Sequence, residues 1–324
     1  MKLLSFVVYV LLQVLCLPLM IVGVVLASYR QLVVSKRLGL SQTAIEVILS
    51  RWTMDRFGIR PDPDTVRLTN VLPNASPVGL WLIFFPLWGK YRICGDLFLY
   101  PTVPAIGYEG LANFLIARTL YIDRLIGPTV THVEQVVVLG AGYDMRCYGE
   151  LKRKGLSCFE VDQPTVQQHK RANLKQAGIN TSHVTFVEVD FRQEEIFSKL
   201  CANGYDTGKR TLFLWEGVTL YLSQSDVRKT LRGICAHAPS GSVLVADFYD
   251  LEKMFARAKG SKETANKALK YTGEELGFGL SFGDDCDQAL NRFLNSEDLT
   301  TGDTYFLGKM TNHGPFVVVS EVRL

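Results

Sequence analysis

The chain opens on an unbroken apolar run, and its hydrophobic period changes afterwards. Residues 3–29, LLSFVVYVLLQVLCLPLMIVGVVLASY, carry no formal charge. At ~1.5 Å per residue a helix of this length crosses a ~30 Å hydrocarbon core with some tilt, and Gln13 and Pro18 are tolerable inside it. The run predicts a retained membrane anchor. A cleaved signal peptide is the rival, but its apolar region is normally only ~7–15 residues, and Ala27-Ser28 is a weak cleavage site. A second apolar run, VGLWLIFFPLW (78–88), is too short to span. Trp81, Phe84, Phe85 and Trp88 would seat it at a membrane interface or bury it in a helical cap. Pro73, Pro77, Pro86, Pro101 and Pro104 are expected to break this region into short pieces.

From about residue 131 strands alternate with helices. QVVVL (135–139), LSCFEVD (156–162), VTFVEVD (184–190), TLFLWEG (211–217) and SVLVADFYD (242–250) read as strands. DMRCYGELKRKG (144–155), PTVQQHKRANLKQAG (164–178) and SQSDVRKTLRGICAHA (223–238) read as helices, the second with proline at its start and glycine at its end, the third with a serine cap. This series predicts a doubly wound α/β domain, a parallel sheet with helices on both faces. Residues 251–300 are polar and mostly helical in pattern, with a Gly-rich GEELGFGLSFGDD inside, and read as an insertion over the site. TYFLGKM (304–310) and GPFVVVSEVRL (314–324) look like two final strands, completing a seven-stranded sheet. The expected division is an anchor (1–30), a helical cap (31–130) and the α/β domain (131–324).

Composition and charge change this picture little. Of 324 residues 48% are hydrophobic and the formal net charge is +3, too weak to argue for nucleic acid. The basic residues do set an orientation. Lys2 precedes the apolar run, whereas Arg30, Lys36, Arg37, Arg51 and Arg56 follow it, so a single-pass anchor would leave the rest of the chain in the cytoplasm. Seven scattered cysteines, with neither disulfide nor zinc spacing, read as free thiols of a reducing compartment and predict no metal.

The candidate chemistry begins at VVVLGAGYDMR (136–146). In a doubly wound sheet the ligand sits at the carboxyl ends of the central strands. There Gly140 and Gly142 let the backbone turn tightly and approach a ligand. A dinucleotide site would want a third glycine where Met145 stands. Asp162 ends the second strand, placed to hold ribose hydroxyls, a feature shared by NAD and S-adenosylmethionine sites. Asp190 and Phe191 end the third, placed to bond an adenine amine and stack on the base. That pair favours S-adenosylmethionine. Glu216 follows a buried strand, where an acid is costly unless paired or facing a cleft. Each residue also has a plain structural reading: a strand-ending acid can cap the next turn, and Arg118 can be a surface residue of an amphipathic helix.

The ordered set GAGYD, EVDQP, VDF and WEGVTLYL resembles the leucine carboxyl methyltransferase family and its bacterial small-molecule relatives, over roughly residues 41–324. IARTLYID (116–123) and, more weakly, SQTAIEV (41–47) add to the likeness. The resemblance implies a class I methyltransferase fold with a helical N-terminal addition. It implies that Arg118 pairs with the cofactor carboxylate and that Gly140 and Gly142 line its methionine portion. Asp162 would take the ribose, Asp190 and Phe191 the adenine, and Glu216 the amino end. Val138 stands where most methyltransferases carry an acid, as is common in this family. Gln42 or Thr43 stands where the phosphatase-modifying members carry a basic residue, which argues against that substrate.

Methyl transfer from a sulfonium is an in-line displacement, and a carboxylate acceptor needs no general base. The expectation is therefore a membrane-anchored carboxyl O-methyltransferase acting on a small, amphipathic or lipid-dissolved acceptor. A hydroxyl or thiol acceptor would need a base, for which Tyr221 and His313 are candidates; Tyr143 and Tyr221 could flank the transfer channel. A cofactor-binding membrane module without turnover, and an NAD-dependent oxidoreductase, are the alternatives from other classes.

Overall fold

The computed structural model describes residues 2–97, 100–149, 151–152, 155–259 and 275–324. The first element is a helix, α1 (Lys2–Ser28), which a π-helical turn over Tyr29–Val34 joins to α2 (Ser35–Leu38). Gly39, in the left-handed region at φ 64°, ends it. Three further helices form the cap. They are α3 (Gln42–Arg56), α4 (Pro63–Val71) and α5 (Pro77–Cys94). Ser41, Asp62 and Ser76 cap them by accepting from the backbone N–H groups of Ala44, Thr65 and Gly79, as short polar residues do at helix starts.

The catalytic half follows α6 (Phe114–Thr129). It comprises β1 (Gln135–Leu139), β2 (Ser157–Asp162), α7 (Pro164–Gln176), β3 (Val184–Glu188), α8 (Ile196–Ala202), β4 (Thr211–Trp215), α9 (Gln224–His237) and β5 (Val243–Tyr249). Then come α10 (Leu251–Arg257), α11 (Cys286–Asn295), β6 (Thr300–Leu307) and β7 (Val317–Arg323). The strands form one seven-stranded sheet in the order β3-β2-β1-β4-β5-β7-β6. β1 to β5 are parallel, and β7 enters antiparallel to both β5 and β6. This is the Rossmann-like class I methyltransferase arrangement.

Alternate residues of each strand face opposite sides, and two cores result. Val136, Val138, Leu212, Leu214 and Val245 join Ile45, Ile48, Leu68 and Ile122 of α3, α4 and α6 on one face. Val137, Leu139, Phe213, Trp215 and Leu244 join Phe197, Leu231 and Leu290 of α8, α9 and α11 on the other. The central strands β1, β4 and β5 are buried on both faces, which explains why they read as largely apolar runs.

Two sequence expectations are corrected. Residues 144–149 form turns rather than a helix. Asp144 accepts from the Arg146 N–H at 2.8 Å, and such local side-chain bonds compete with the helical ladder. The 78–88 run is the middle of an 18-residue helix that continues through Pro86. Pro86 removes one ladder bond, but packing on two sides of α5 holds the axis. The five strands read as a parallel sheet are parallel, and the two final strands join it antiparallel. Of the insertion, 260–274 lie outside the described residues. The Gly-rich residues 275–284 form neither helix nor strand, with Gly277 and Phe278 N–H groups donating to the Leu220 and Leu222 carbonyls. They thereby brace the loop after β4.

α1 and α5 run antiparallel. Ser5 meets Asp96 at one end, and Gly23 meets Gly79 near the other. A Cβ on Gly79 would lie 2.9 Å from the Gly23 carbonyl oxygen, and one on Gly23 2.7 Å from that of Gly79. Both obstacles are backbone, so Gly79→Ala should push the helices apart. The expected cost is ~1–3 kcal/mol, read as a lower unfolding midpoint of the detergent-purified chain and faster amide exchange in α1.

Candidate cofactor site

A cavity of about 430 Å³ opens where the carboxyl ends of β1, β2 and β4 meet the cap. Arg118, Gly140, Gly142, Asp162, Asp190, Phe191 and Glu216, named from five separate stretches of sequence, all line it.

The β1 turn explains its glycines. Gly140 sits at φ 68° and Gly142 at φ 45°. A Cβ on Gly140 would fall 2.3 Å from a methyl of Val218, so a side chain is excluded by space as well as by conformation. The turn is sewn to β2: the Gly140 and Ala141 N–H groups both donate to the Val161 carbonyl. Gly142 N–H donates to Asp162 Oδ2 at 2.6 Å, and Gln163 N–H to Asp162 Oδ1 at 2.7 Å. Burial pushes the Asp162 carboxyl up, against those backbone donors. The carboxylate is thus fixed in direction with lone pairs left over for hydroxyl donors. Asp190 caps its own turn by accepting from Arg192 N–H, the plain structural reading, while the buried Phe191 offers a ring to the cavity.

Glu216 is the centre of the charge. Its Oε2 accepts from Arg51 at 2.8 Å and from Arg146 at 2.7 Å, and its Oε1 stands 3.1 Å from Arg118 Nη2. Burial alone would raise the Glu216 carboxyl, but Arg51, Arg146 and Arg118 outweigh it and hold it at about 2. Behind Arg118, the Tyr249 hydroxyl accepts from its Nη1 at 2.6 Å and donates to Asp247 at 2.6 Å. Burial lifts the Asp247 carboxyl to about 6, even against Arg118. Asp144 binds Arg51 and Arg146, and Asp123 links Arg146 to Arg60 of the cap.

Five buried atoms of Arg51, Arg118, Arg146 and Glu216 make no hydrogen bond, namely Arg51 Nε, Arg118 Nε, Arg146 Nη2, Arg118 Nη2 and Glu216 Oε1, the last two paired only with each other across 3.1 Å. A buried polar atom without a partner costs ~1–3 kcal/mol. Of that last pair, one is a cation suited to a carboxylate and the other an anion suited to an ammonium. Side by side at the turn, they fit the amino-acid end of S-adenosylmethionine, while Asp162 fits its ribose.

The acceptor side differs from expectation. Tyr143 lines the cavity, but its hydroxyl is bonded to His169 Nδ1 at 2.9 Å, and burial raises the phenol well above its ordinary range. Tyr221 lines the cavity from the turn after β4. His313 does not: it is exposed on the turn between β6 and β7 and is absent from the cavity wall, because that turn is drawn onto α10 by Arg257. Sequence reasoning missed Arg51, Asp144, Arg146, Asp247 and Tyr249. Asp247 carried the same signal as Glu216, an acid in a buried strand. Arg51 carried none, since a helix arginine looks like any solvated one.

A model of the family described as leucine carboxyl methyltransferase matches residues 102–235. YktD of Bacillus subtilis, by name a candidate S-adenosyl-L-methionine-dependent methyltransferase, is 31% identical over 158 residues, 48% of this chain and 51% of that protein. The chain thus spans about half the length of this relative. A Mycolicibacterium paratuberculosis protein of the same description is 32% identical over 228 residues, 70% of each chain. A solved structure of a methyltransferase candidate from Thermobifida fusca superposes with a TM-score of 0.49 at 14% identity, over 80% of this chain and 93% of that one. The mycobacterial likeness extends over more than two thirds of both sequences, and by it the chain belongs to the S-adenosyl-L-methionine-dependent methyltransferases.

Proposed function

We propose that this chain is a membrane-attached O-methyltransferase that methylates a carboxyl group of a small, amphipathic acceptor, with its catalytic domain on the cytoplasmic side. The observation that carries the reading is the pairing of a complete cofactor-anchoring charge cluster with an apolar acceptor side. Phe114, Leu115, Leu222 and Met254 line the cavity there. When bound, S-adenosylmethionine supplies a methyl group on a positively charged sulfur. Arg118 and Glu216 hold and orient its amino-acid end, and Asp162 fixes its ribose. Alignment and exclusion of water then do most of the work. An acceptor carboxylate is ionised at neutral pH and asks no residue to remove a proton. The bonding of Tyr143 to His169 and the remote position of His313 support an acceptor of that kind. A hydroxyl or thiol acceptor would turn to Tyr221.

Membrane attachment is supported by the helical stretch Leu4–Leu38, in which an 18-residue window has a mean hydropathy of 2.7 and only 11% of its residues buried. Monomeric soluble proteins rarely expose so continuous an apolar face. Arg30, Lys36 and Arg37 stand at its C-terminal end, after the uncharged run 3–29, and suit an anionic cytoplasmic leaflet.

Three outcomes test the reading. Asp162→Ala should weaken S-adenosylmethionine binding about 100-fold, the worth of two charge-assisted hydrogen bonds, by calorimetry on a variant with unchanged circular dichroism. Undiminished affinity would sink the assignment. Glu216→Gln leaves Arg51, Arg118 and Arg146 around a neutral amide, and should cost ~3–5 kcal/mol in urea unfolding besides loosening the cofactor. With a fatty-acid acceptor, transfer should be flat from about pH 7 to about pH 9, above the ionisation of Asp247 and of any carboxylate. A steep rise across that window would mark a base and favour a hydroxyl or thiol acceptor.

A further inference from the structure

The two N-terminal apolar helices are stacked against the cap in layers. α1 forms the outer layer and touches α5 or the cap along most of its length. Ser5 donates to Asp96, Gly23 packs on Gly79, Arg30 donates to the Pro73 carbonyl at 2.7 Å and Gln31 to Glu46 at 3.0 Å. From residue 5 to residue 31 that is ~39 Å of helix. α5 forms the middle layer. Its inner side meets the cap near both of its ends, with Trp81 at 5.5 Å from Trp52 and Tyr91 at 6.2 Å from Phe57.

Polar and small residues of α1 and its extension face inward, with Ser5, Gly23 and Ser35 buried. The outward face is apolar throughout, with Leu4, Leu11, Leu15, Val25 and Leu32 each at least half exposed. Val78, Phe85 and Ile93, about seven residues apart on α5, are exposed too. The helix pair supplies its own amphipathicity: protein covers one side and, among the described residues, nothing covers the other.

This layering is hard to reconcile with a helix standing upright in a bilayer. A pair lying against the cap could cross a ~30 Å core only by taking the cap along. Arg56, half-buried beside Asp55 and stacked 5.6 Å from the Trp52 ring, would then enter hydrocarbon at a cost of several kcal/mol. The fold also changes the charge pattern. α5 returns exposed Arg92, stacked over Trp88, to the end where α1 begins. Basic residues therefore stand at both ends of α1, and the asymmetry that orients a spanning helix is reduced.

We propose that α1 does not cross the membrane but lies in its plane, about one helix deep in the cytoplasmic leaflet. α5 lies between it and the cap, and both ends of α1 are cytoplasmic. This rests on the membrane-attachment reading above and replaces the single-pass topology expected from the sequence. It has a consequence for the site. Gly39, Ser41 and Glu46, at the end of the apolar helix, are also part of the cavity wall, so one rim of the cavity is held at the lipid surface. An acceptor dissolved in that leaflet reaches it without leaving the interface.

The test fuses a peptide carrying a protease site and an Asn-x-Thr glycosylation acceptor ahead of Met1 of the full chain, expressed into sealed microsomes. Protease added from outside should remove the peptide completely, unglycosylated, and digest the catalytic domain, while α1 remains with the floated membranes. A peptide or a catalytic domain protected until detergent is added would overturn the proposal and leave an upright helix, with membrane attachment intact. A chain that stays in the soluble fraction would overturn the proposal and the membrane reading together.

Discussion

The Glu216 carboxylate is the interaction on which the rest of the structure depends. It ends a fully buried strand, where an unpaired charge would be prohibitive, and it meets three guanidinium groups from three parts of the chain. Arg51 comes from the cap, Arg118 from the helix that enters the domain, and Arg146 from the cofactor turn. All three arginines are at most 4% exposed, and Glu216 is the carboxylate they share, beside Asp144, Asp123 and Asp247. One carboxylate thus locks cap, helix and turn onto the sheet. Ion clusters of this kind are not a cheap route to stability. Their use here is positional, since they fix the spacing of Arg118 and Glu216 to within hydrogen-bonding tolerance and leave one face of each unsatisfied.

That unsatisfied face couples the fold to its chemistry. The turn after β1 can approach a ligand because Gly140 has no Cβ to strike Val218. Asp162 is pre-aimed by two backbone N–H groups. The loop after β4 is braced by the segment 275–284. A methyl donor that is already activated asks for this kind of rigidity more than for acid–base groups. Tyr143, engaged with His169, belongs to the wall in this arrangement.

The cap has a second side. Trp52 of α3, Val66 of α4 and Leu80 of α5 form a small apolar cluster, so α5 is the hydrophobic bridge between α1 and these two cap helices. The outermost surface left by this stacking is the apolar face of α1. The same α3 that carries Arg51 into the site carries Trp52 toward α5, and the cofactor cluster and the apolar platform are therefore two faces of one helix.

The sequence by itself determined the elements whose signal is local. β1 and β4 were legible because a strand buried on both faces is apolar throughout, and β2, β3 and β5 because short runs of mainly apolar residues recur between helical segments. α7 and α9 were legible from their terminal residues, and Gly140, Gly142, Asp162 and Glu216 from residue types that are costly at strand ends without a reason. The tertiary structure alone decided what depends on distant partners. Arg51 looks like any helix arginine until Glu216, 165 residues away, takes its charge. Residues 144–149 follow side-chain bonds instead of helical propensity. The run 78–88 is short only until its flanking residues complete a helix supported on two sides. The place of α1 in the fold was beyond the sequence for the same reason: hydropathy counts the residues that water disfavours, and only the packing of α1 on α5 decides which of them meet protein.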